Sequence, residues 1–143
     1  MNRNEMKVEF DSISANEAFA RVTVAAFMAQ LNPSMEEVAD VKTAVSEAVT
    51  NAIIHGYGGE VHKITISGVI EEQRLSLEIA DQGIGIEDVK KAMEPLYTSR
   101  PELERSGMGF LFMEAFMDEV HVTSKPGEGT TVVMKKKIGQ HGA

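Results

Sequence analysis

Two runs of strict alternation constrain this chain more than any other feature. From His62 to Ile70 apolar residues recur at every second position (Ile64, Ile66), Glu71-Glu72-Gln73 turns the chain, and Leu75, Leu77 and Ile79 alternate on the return. A period of two sends successive side chains to opposite faces of a pleated strand. The pattern therefore predicts a hairpin with one face buried, whose second strand runs directly into Asp81 and a Gly-rich stretch.

The remaining segments supply helices to cover that face. Ser14-Ala15-Asn16-Glu17 and Ser34-Met35-Glu36-Glu37 both match a capping box, in which Ser and Glu side chains satisfy reciprocal helix-end amides. The first predicts a helix to about Leu31 with Phe19, Val22, Ala26 and Phe27 among its buried residues, broken by Asn32-Pro33. The second opens a long helix that Gly56 is placed to stop. Met6 to Phe10 reads as a strand, Glu87 to Met93 as a short helix ended by Pro95, and residues 95–106, with two prolines, show no clean period. Gly107 opens a helix containing Phe110, Leu111, Met113, Phe116 and Met117, in which the methionines read as adaptable core, as does Met108. Strands Val120–Ser124 and Thr130–Lys137 flank a Lys125–Gly129 turn. The order β-α-α-β-β-α-α-β-β predicts an α/β two-layer sandwich, with helices on one face of a mostly antiparallel mixed sheet. At 143 residues one domain spanning 1–143 is expected, with 138–143 a disordered tail.

Composition excludes several classes. The absence of cysteine removes disulfide frameworks and thiolate metal sites, and no apolar run approaches the roughly 20 residues that span a bilayer. The first residues lack a signal-peptide core, so a cytoplasmic location with no membrane partner is expected. A formal charge of −8 argues against direct nucleic-acid binding, which needs a basic surface. The one basic run, Lys135-Lys136-Lys137, reads as a solvated strand end.

The candidate chemistry sits in three places. Glu47, Asn51 and His55 stand at successive i, i+4 positions of the long helix, so they line one flank, each about 40° around from the last. Val38, Val41, Val45, Val49 and Ala52 fall on a different stripe. Asp81-Gln82-Gly83-Ile84-Gly85 follows a strand, and Ser106-Gly107-Met108-Gly109 precedes a helix. Each piece alone has a plain reading: exposed helix polarity, a tight turn, helix-entry glycines. Together they are the ingredients of an ATP pocket without a P-loop lysine. Asn51 offers a hard oxygen suited to Mg²⁺, Asp81 an acceptor for an exocyclic amine, and the amides near Gly107 a phosphate site. His55 reads as helix-end packing, and Arg21 and Thr50 as solvated helix positions.

The ordered boxes Glu47-x-x-x-Asn51, Asp81-x-Gly83-x-Gly85 and Gly107-x-Gly109, with Thr130 on a late strand, resemble the ATPase superfamily of gyrase, Hsp90, histidine kinases and MutL. More closely, the stretches from Glu17 to Ala25, Val45 to Tyr57 and Arg100 to Phe110 resemble the anti-sigma factor serine kinases, nearest to their sporulation branch. The resemblance covers about Asn4 to Lys137 and is weakest after Tyr57 and after Ile138. It implies a Bergerat-type ATP-binding fold and two activities, restraint of a sigma factor of the sigma F type and phosphorylation of a serine. The phosphorylated protein would be an anti-anti-sigma antagonist of the stage II sporulation protein AA type. In these terms Glu47 is the general base, Asn51 holds Mg²⁺, Asp81 reads adenine and Thr130 supports that contact. Gly83, Gly85, Thr98, Arg105, Ser106, Gly107, Met108 and Gly109 contact ATP or ADP, and residues 95–106 form a lid. Arg21 and Thr50 meet protein partners, and the kinase is a homodimer. The alternatives are the paralogous stress-response anti-sigma B kinase, a non-catalytic ATP-gated module and a detached histidine kinase domain. The last would need a phosphoacceptor His upstream, and no His precedes Glu47.

Overall fold

The computed structural model describes residues 3–85 and 109–139. Five strands form one sheet: β1 (Arg3–Asp11), β2 (Lys63–Glu71), β3 (Arg74–Asp81), β4 (Glu119–Lys125) and β5 (Gly129–Lys137). Their spatial order is β1-β2-β3-β5-β4. All of these pairings are antiparallel, so the mixed character expected of the sheet is not present among the described residues. Two of these pairings are fixed locally: β2–β3 and β4–β5 are joined by tight turns, which only antiparallel neighbours permit.

The register explains which face is buried. Val8, Ile66, Ile79, Val132 and Val122 form one row across the sheet, and Met6, Gly68, Leu77, Met134 and Val120 the next. Both rows join the core with helices α1 (Ala15–Met28), α2 (Met35–Asn51) and α3 (Gly109–Phe116). At Gly68 a β-carbon would lie 3.0 Å from the Phe27 ring, so the missing side chain lets α1 settle onto β2. Met113 and Met117 are core residues as expected, while Met108 lies outside the described residues.

Of the two predicted capping boxes, one forms. Ser34 Oγ accepts the Glu37 amide at 3.0 Å and Glu37 Oε1 accepts the Ser34 amide at 2.9 Å. Ser14, by contrast, has helical backbone angles and makes no side-chain cap bond, whereas a box needs an extended cap residue. Its would-be partner Glu17 turns to other groups, accepting a hydrogen bond from Ser46 Oγ on α2 and pairing with Arg21 Nε at 3.4 Å.

The face of α1 also differs from expectation. Ala20, Val24 and Met28 are fully buried, whereas Phe19 and Val22 are 48% and 63% exposed, Ala26 is exposed and Phe27 is half-buried. Apolar residues occur all around this helix, so periodicity could not select the stripe. The helix continues as a 3₁₀ turn over Ala29–Leu31 and ends where Asn32 adopts a left-handed conformation.

Two expectations for the far end of the chain are corrected. Ile138 is fully buried, its amide bonded to the Gln73 carbonyl at 2.8 Å, and the Gly139 amide reaches Glu37 Oε1 at 3.3 Å. Order therefore extends through 139, because the residue directly after β5 carries one more apolar side chain into the core; residues 140–143 lie outside the described set. The basic run is likewise not merely solvated: Lys136 Nζ donates to the Phe116 carbonyl at 2.7 Å, satisfying an otherwise orphaned group at the end of α3. No helix among the described residues is long and apolar enough to cross a membrane.

Candidate functional site

Helix α2 is the scaffold. Val41, Ala44, Val45, Ala48 and Val49 form its buried stripe, and Val38 packs at the edge. Ser46 reaches α1 through Glu17. At about 100° per residue, Glu47 and Asn51 lie roughly 100–140° around from Ser46, on the flank toward α3, since α2 packs between α1 and α3. Both are half-buried. The predicted separation of an apolar stripe from a polar flank is therefore observed.

The helix does not simply stop at Gly56. Its last five residues, Ala52–Gly56, form a π-helical turn in which the Tyr57 amide bonds to the Ala52 carbonyl at 3.0 Å. The wider turn moves His55 out of the simple i+4 relation to Asn51 that the spacing predicts. Such bulges occur frequently at functional positions. Here the bulge ends against the Asp81 turn.

Asp81 breaks the logic of its strand. The third row of the sheet reads Phe10, Ile64, Asp81, Thr130, Ser124, so the carboxylate takes a core-facing position where alternation after Leu75, Leu77 and Ile79 calls for an apolar residue. It is only 6% exposed. Burial pushes its pKa above the ordinary carboxylate value, and the backbone amides of Gly83 and Thr130 pull against that rise. The Gly83 amide donates to Asp81 Oδ1 at 2.9 Å. Thr130 is itself buried, and its hydroxyl lies 2.8 Å from Ser124 Oγ, which also donates to the Gly129 carbonyl.

Three backbone segments converge on this carboxylate, and glycine makes the approach possible. A β-carbon on Gly83 would stand 2.0 Å from the Gly56 carbonyl oxygen. Gly85 has φ +78° and would place a β-carbon 2.1 Å from the Lys125 carbonyl. Across these contacts the Ile84 amide bonds to Gly56 O at 2.9 Å and the Gly127 amide to Ile84 O at 2.6 Å. The end of α2, the turn after β3 and the β4–β5 turn are thus one hydrogen-bonded unit.

Of the residues singled out from the sequence, Asp81, Gly83, Gly85 and Thr130 meet at the sheet end, and Glu47 and Asn51 line the α2 flank. Gly109 is the first residue of α3. Thr98, Arg105, Ser106, Gly107 and Met108, the helix expected over 87–93 and the lid expected over 95–106 lie outside the described residues. Arg21 and Thr50 stand one turn to either side of the Glu17–Ser46 contact, because α1 and α2 form a tightly connected antiparallel hairpin. That separates them by roughly 11 Å along the pair. Sequence reading passed over Tyr57, Ser124 and Gly129. A lone aromatic in a glycine-rich stretch was the available sign for Tyr57; the other two carried none.

The site fits a nucleotide. A buried carboxylate acceptor beside a side-chain-free backbone suits a flat base bearing an amine. Among the described residues no three His, Cys, Asp or Glu groups cluster as a metal cage. Asn51, half-buried on the α2 flank, carries a hard carboxamide oxygen of the kind a phosphate-bound Mg²⁺ would accept as a ligand.

Comparison with known proteins gives the same outline. The family model described as histidine kinase-like ATPase domain matches residues 12–136. The anti-sigma F factor of Clostridium acetobutylicum is 60% identical over 96% of this chain and 96% of its own length. Those of Clostridium novyi and Oceanobacillus iheyensis are 62% and 55% identical, each over 96% of this chain and over 97% and 95% of their own lengths. Among solved structures, the RsbU and RsbW domains of Rv1364c from Mycobacterium tuberculosis superpose with a TM-score of 0.67 at 19% identity. That match covers 94% of this chain and 32% of the larger one, and it speaks to fold alone.

Proposed function

The chain belongs to the histidine kinase-like ATPase domain family and, within it, to the anti-sigma F factors, and on that premise we propose that it is a Mg·ATP-dependent protein serine kinase that also restrains a sigma factor. The observation that carries the nucleotide reading is the buried Asp81 carboxylate at a core position of β3, framed by glycine backbone. The names of the relatives support a sigma F-type partner rather than the stress-response branch.

Each residue then has a task. Asp81 accepts the exocyclic amine of adenine, with Thr130 behind it. Asn51 offers its carboxamide oxygen to Mg²⁺, and Glu47, one turn earlier on the same flank, takes the proton from the attacking serine hydroxyl. The nucleotide supplies the γ-phosphoryl group: the new bond joins it to the serine oxygen as its bond to the β-phosphate oxygen breaks and ADP leaves. Alignment, charge neutralisation and a positioned base are what such a transfer asks of a protein. The protein works in the cytoplasm as a homodimer, and its substrate is an anti-anti-sigma antagonist that displaces the sigma factor until it is phosphorylated. Arg21 and Thr50 belong to the partner surface. Coupling between pocket and partner surface lets the bound nucleotide choose between partners.

The deciding experiment follows the γ-phosphate of labelled ATP to a purified antagonist of the stage II sporulation protein AA type. Labelled serine on that protein is the expected result. Bound ATP with no labelled protein serine would reduce the chain to a nucleotide-gated binding module.

A pH dependence follows from Asp81. Its pKa is raised above 3.8 in the folded chain, so the stability it contributes is fully present below that value and is lost as pH rises through the folded pKa. The ionised form that an adenine amine requires disappears on acidification at a pH above the ordinary carboxylate value. ADP affinity, followed by calorimetry from about pH 8 down to about pH 4, is expected to weaken in that window, and Asp81→Asn to remove the dependence. An unchanged pH profile in the variant would exclude Asp81 as the titrating acceptor.

A further inference from the structure

Tyr57 is nearly buried, at 8% exposed, yet belongs to neither the core rows of the sheet nor the predicted site. Its hydroxyl spans two backbone groups. It accepts the Gln82 amide at 2.7 Å and donates to the Lys63 carbonyl at 2.5 Å. These two groups flank the last rung of the β2–β3 ladder, the Ile64–Asp81 pair. One residue further, Lys63 and Gln82 would form the next rung if the strands continued. The phenol stands in for that rung, so β3 can leave the sheet immediately after Asp81 without stranding an amide or a carbonyl.

The consequence falls on Asp81. Once the chain departs at Gln82, the Gly83 amide can fold back onto Asp81 Oδ1 and the Ile84 amide onto Gly56 O. Tyr57 is placed for this by the π-helical turn, which its own amide closes on Ala52, and by its ring lying 4.9 Å from that of His62. A cavity of about 580 Å³ opens beside it, lined by Tyr57, His62, Gln82 and Gly83 among others.

We propose that Tyr57 is a positioning residue whose hydroxyl sets the Asp81 carboxylate for the amine of the base, and so governs selection of adenine over 6-oxopurines. The proposal rests on the reading of Asp81 given above and needs no kinase activity to be tested. Tyr57→Phe keeps the ring and removes only the hydroxyl. Affinities for ADP and IDP are measured by calorimetry at a temperature where all variants are folded, with Asp81→Asn in parallel. The expected result is a roughly tenfold weaker ADP affinity in Tyr57→Phe with IDP affinity unchanged, so that the preference for ADP falls in step. In Asp81→Asn the preference collapses altogether. A role confined to stability would lower the melting temperature and leave the ADP-to-IDP ratio as it is. An unchanged ratio in Tyr57→Phe beside a collapsed one in Asp81→Asn overturns the positioning role alone. Unchanged ratios in both overturn it together with the adenine reading.

Discussion

Replacing Glu47 with Ala is expected to lower phosphoryl transfer to the antagonist by about 10²–10⁴-fold, the usual contribution of a positioned general base, while ADP affinity stays within about twofold. The two effects separate because Glu47 and Asn51, although neighbours on one flank of α2, are assigned to different partners. In the proposed mechanism Asn51 serves the nucleotide through Mg²⁺, and Glu47 serves the incoming serine. Glu47 is half-buried and stands off the stripe that α2 locks into the core, so the substitution removes no core side chain. Glu47→Gln, which keeps the shape and removes the basicity, should lose transfer to a similar extent. Single-turnover transfer of labelled phosphate checks the first effect and calorimetry with ADP the second. Full transfer activity in Glu47→Gln would remove this residue from the chemistry and move the search for a base elsewhere.

The second large effect is structural. Gly83→Ala would drive a methyl group to 2.0 Å from the Gly56 carbonyl oxygen and 2.3 Å from its carbon, a collision of backbone with backbone that no rotamer can relieve. Relief requires the turn after β3 to separate from the end of α2, which breaks the Ile84–Gly56 hydrogen bond and disturbs the Gly83 amide that supports Asp81. Overpacking together with a lost hydrogen bond amounts to about 3 kcal/mol, or a fall of about 10 °C in melting temperature for a chain of this size. ADP affinity should fall at least about tenfold with it. Gly59→Ala is the control: its φ of +89° is unfavourable for alanine, but nothing lies within 4 Å of the added carbon. Strain of that kind costs about 1 kcal/mol. Calorimetric melting of both variants separates collision from strain, and equal losses would mean that the Gly56–Gly83 contact carries no special weight.

Much of this architecture was legible because certain residues admit one solution. The alternation of Ile64 and Ile66 against Leu75, Leu77 and Ile79 defines a hairpin and its buried face, and Ser34 with Glu37 marks a helix start that forms as predicted. Asp81 was legible because the alternating strand runs directly into it and the Gly83-x-Gly85 spacing follows; that it takes a core-facing step of β3 is what the register adds. The failures have a common origin in tertiary competition. Ser14 and Glu17 have the spacing of a capping box, but Glu17 finds Ser46 and Arg21 across the helix pair, and Ser14 stays helical. Helix α1 carries apolar residues on every side, so sequence could not tell that Ala20, Val24 and Met28 would be chosen over Phe19 and Val22. The π-helical turn at Ala52–Gly56 has no compositional mark, and with it the placement of His55 and Tyr57 was hidden. Glycine spacing pointed to a turn after β3 but could not name what the turn would touch.

The bond from the Gly139 amide to Glu37 has a consequence for how the molecule comes apart. Glu37 Oε1 already accepts the Ser34 amide, so a single carboxylate oxygen holds the first turn of α2 and Gly139, two residues beyond the end of β5. Gln73 braces the same point from the β2–β3 turn, donating to the carbonyls of Leu31 and Ile138. Fraying of the last strand would therefore uncap the helix that carries Glu47 and Asn51. The chain end and helix α2 belong to one cooperative opening unit, and a tag or fusion joined ahead of Gly139 would be felt at the far end of that helix.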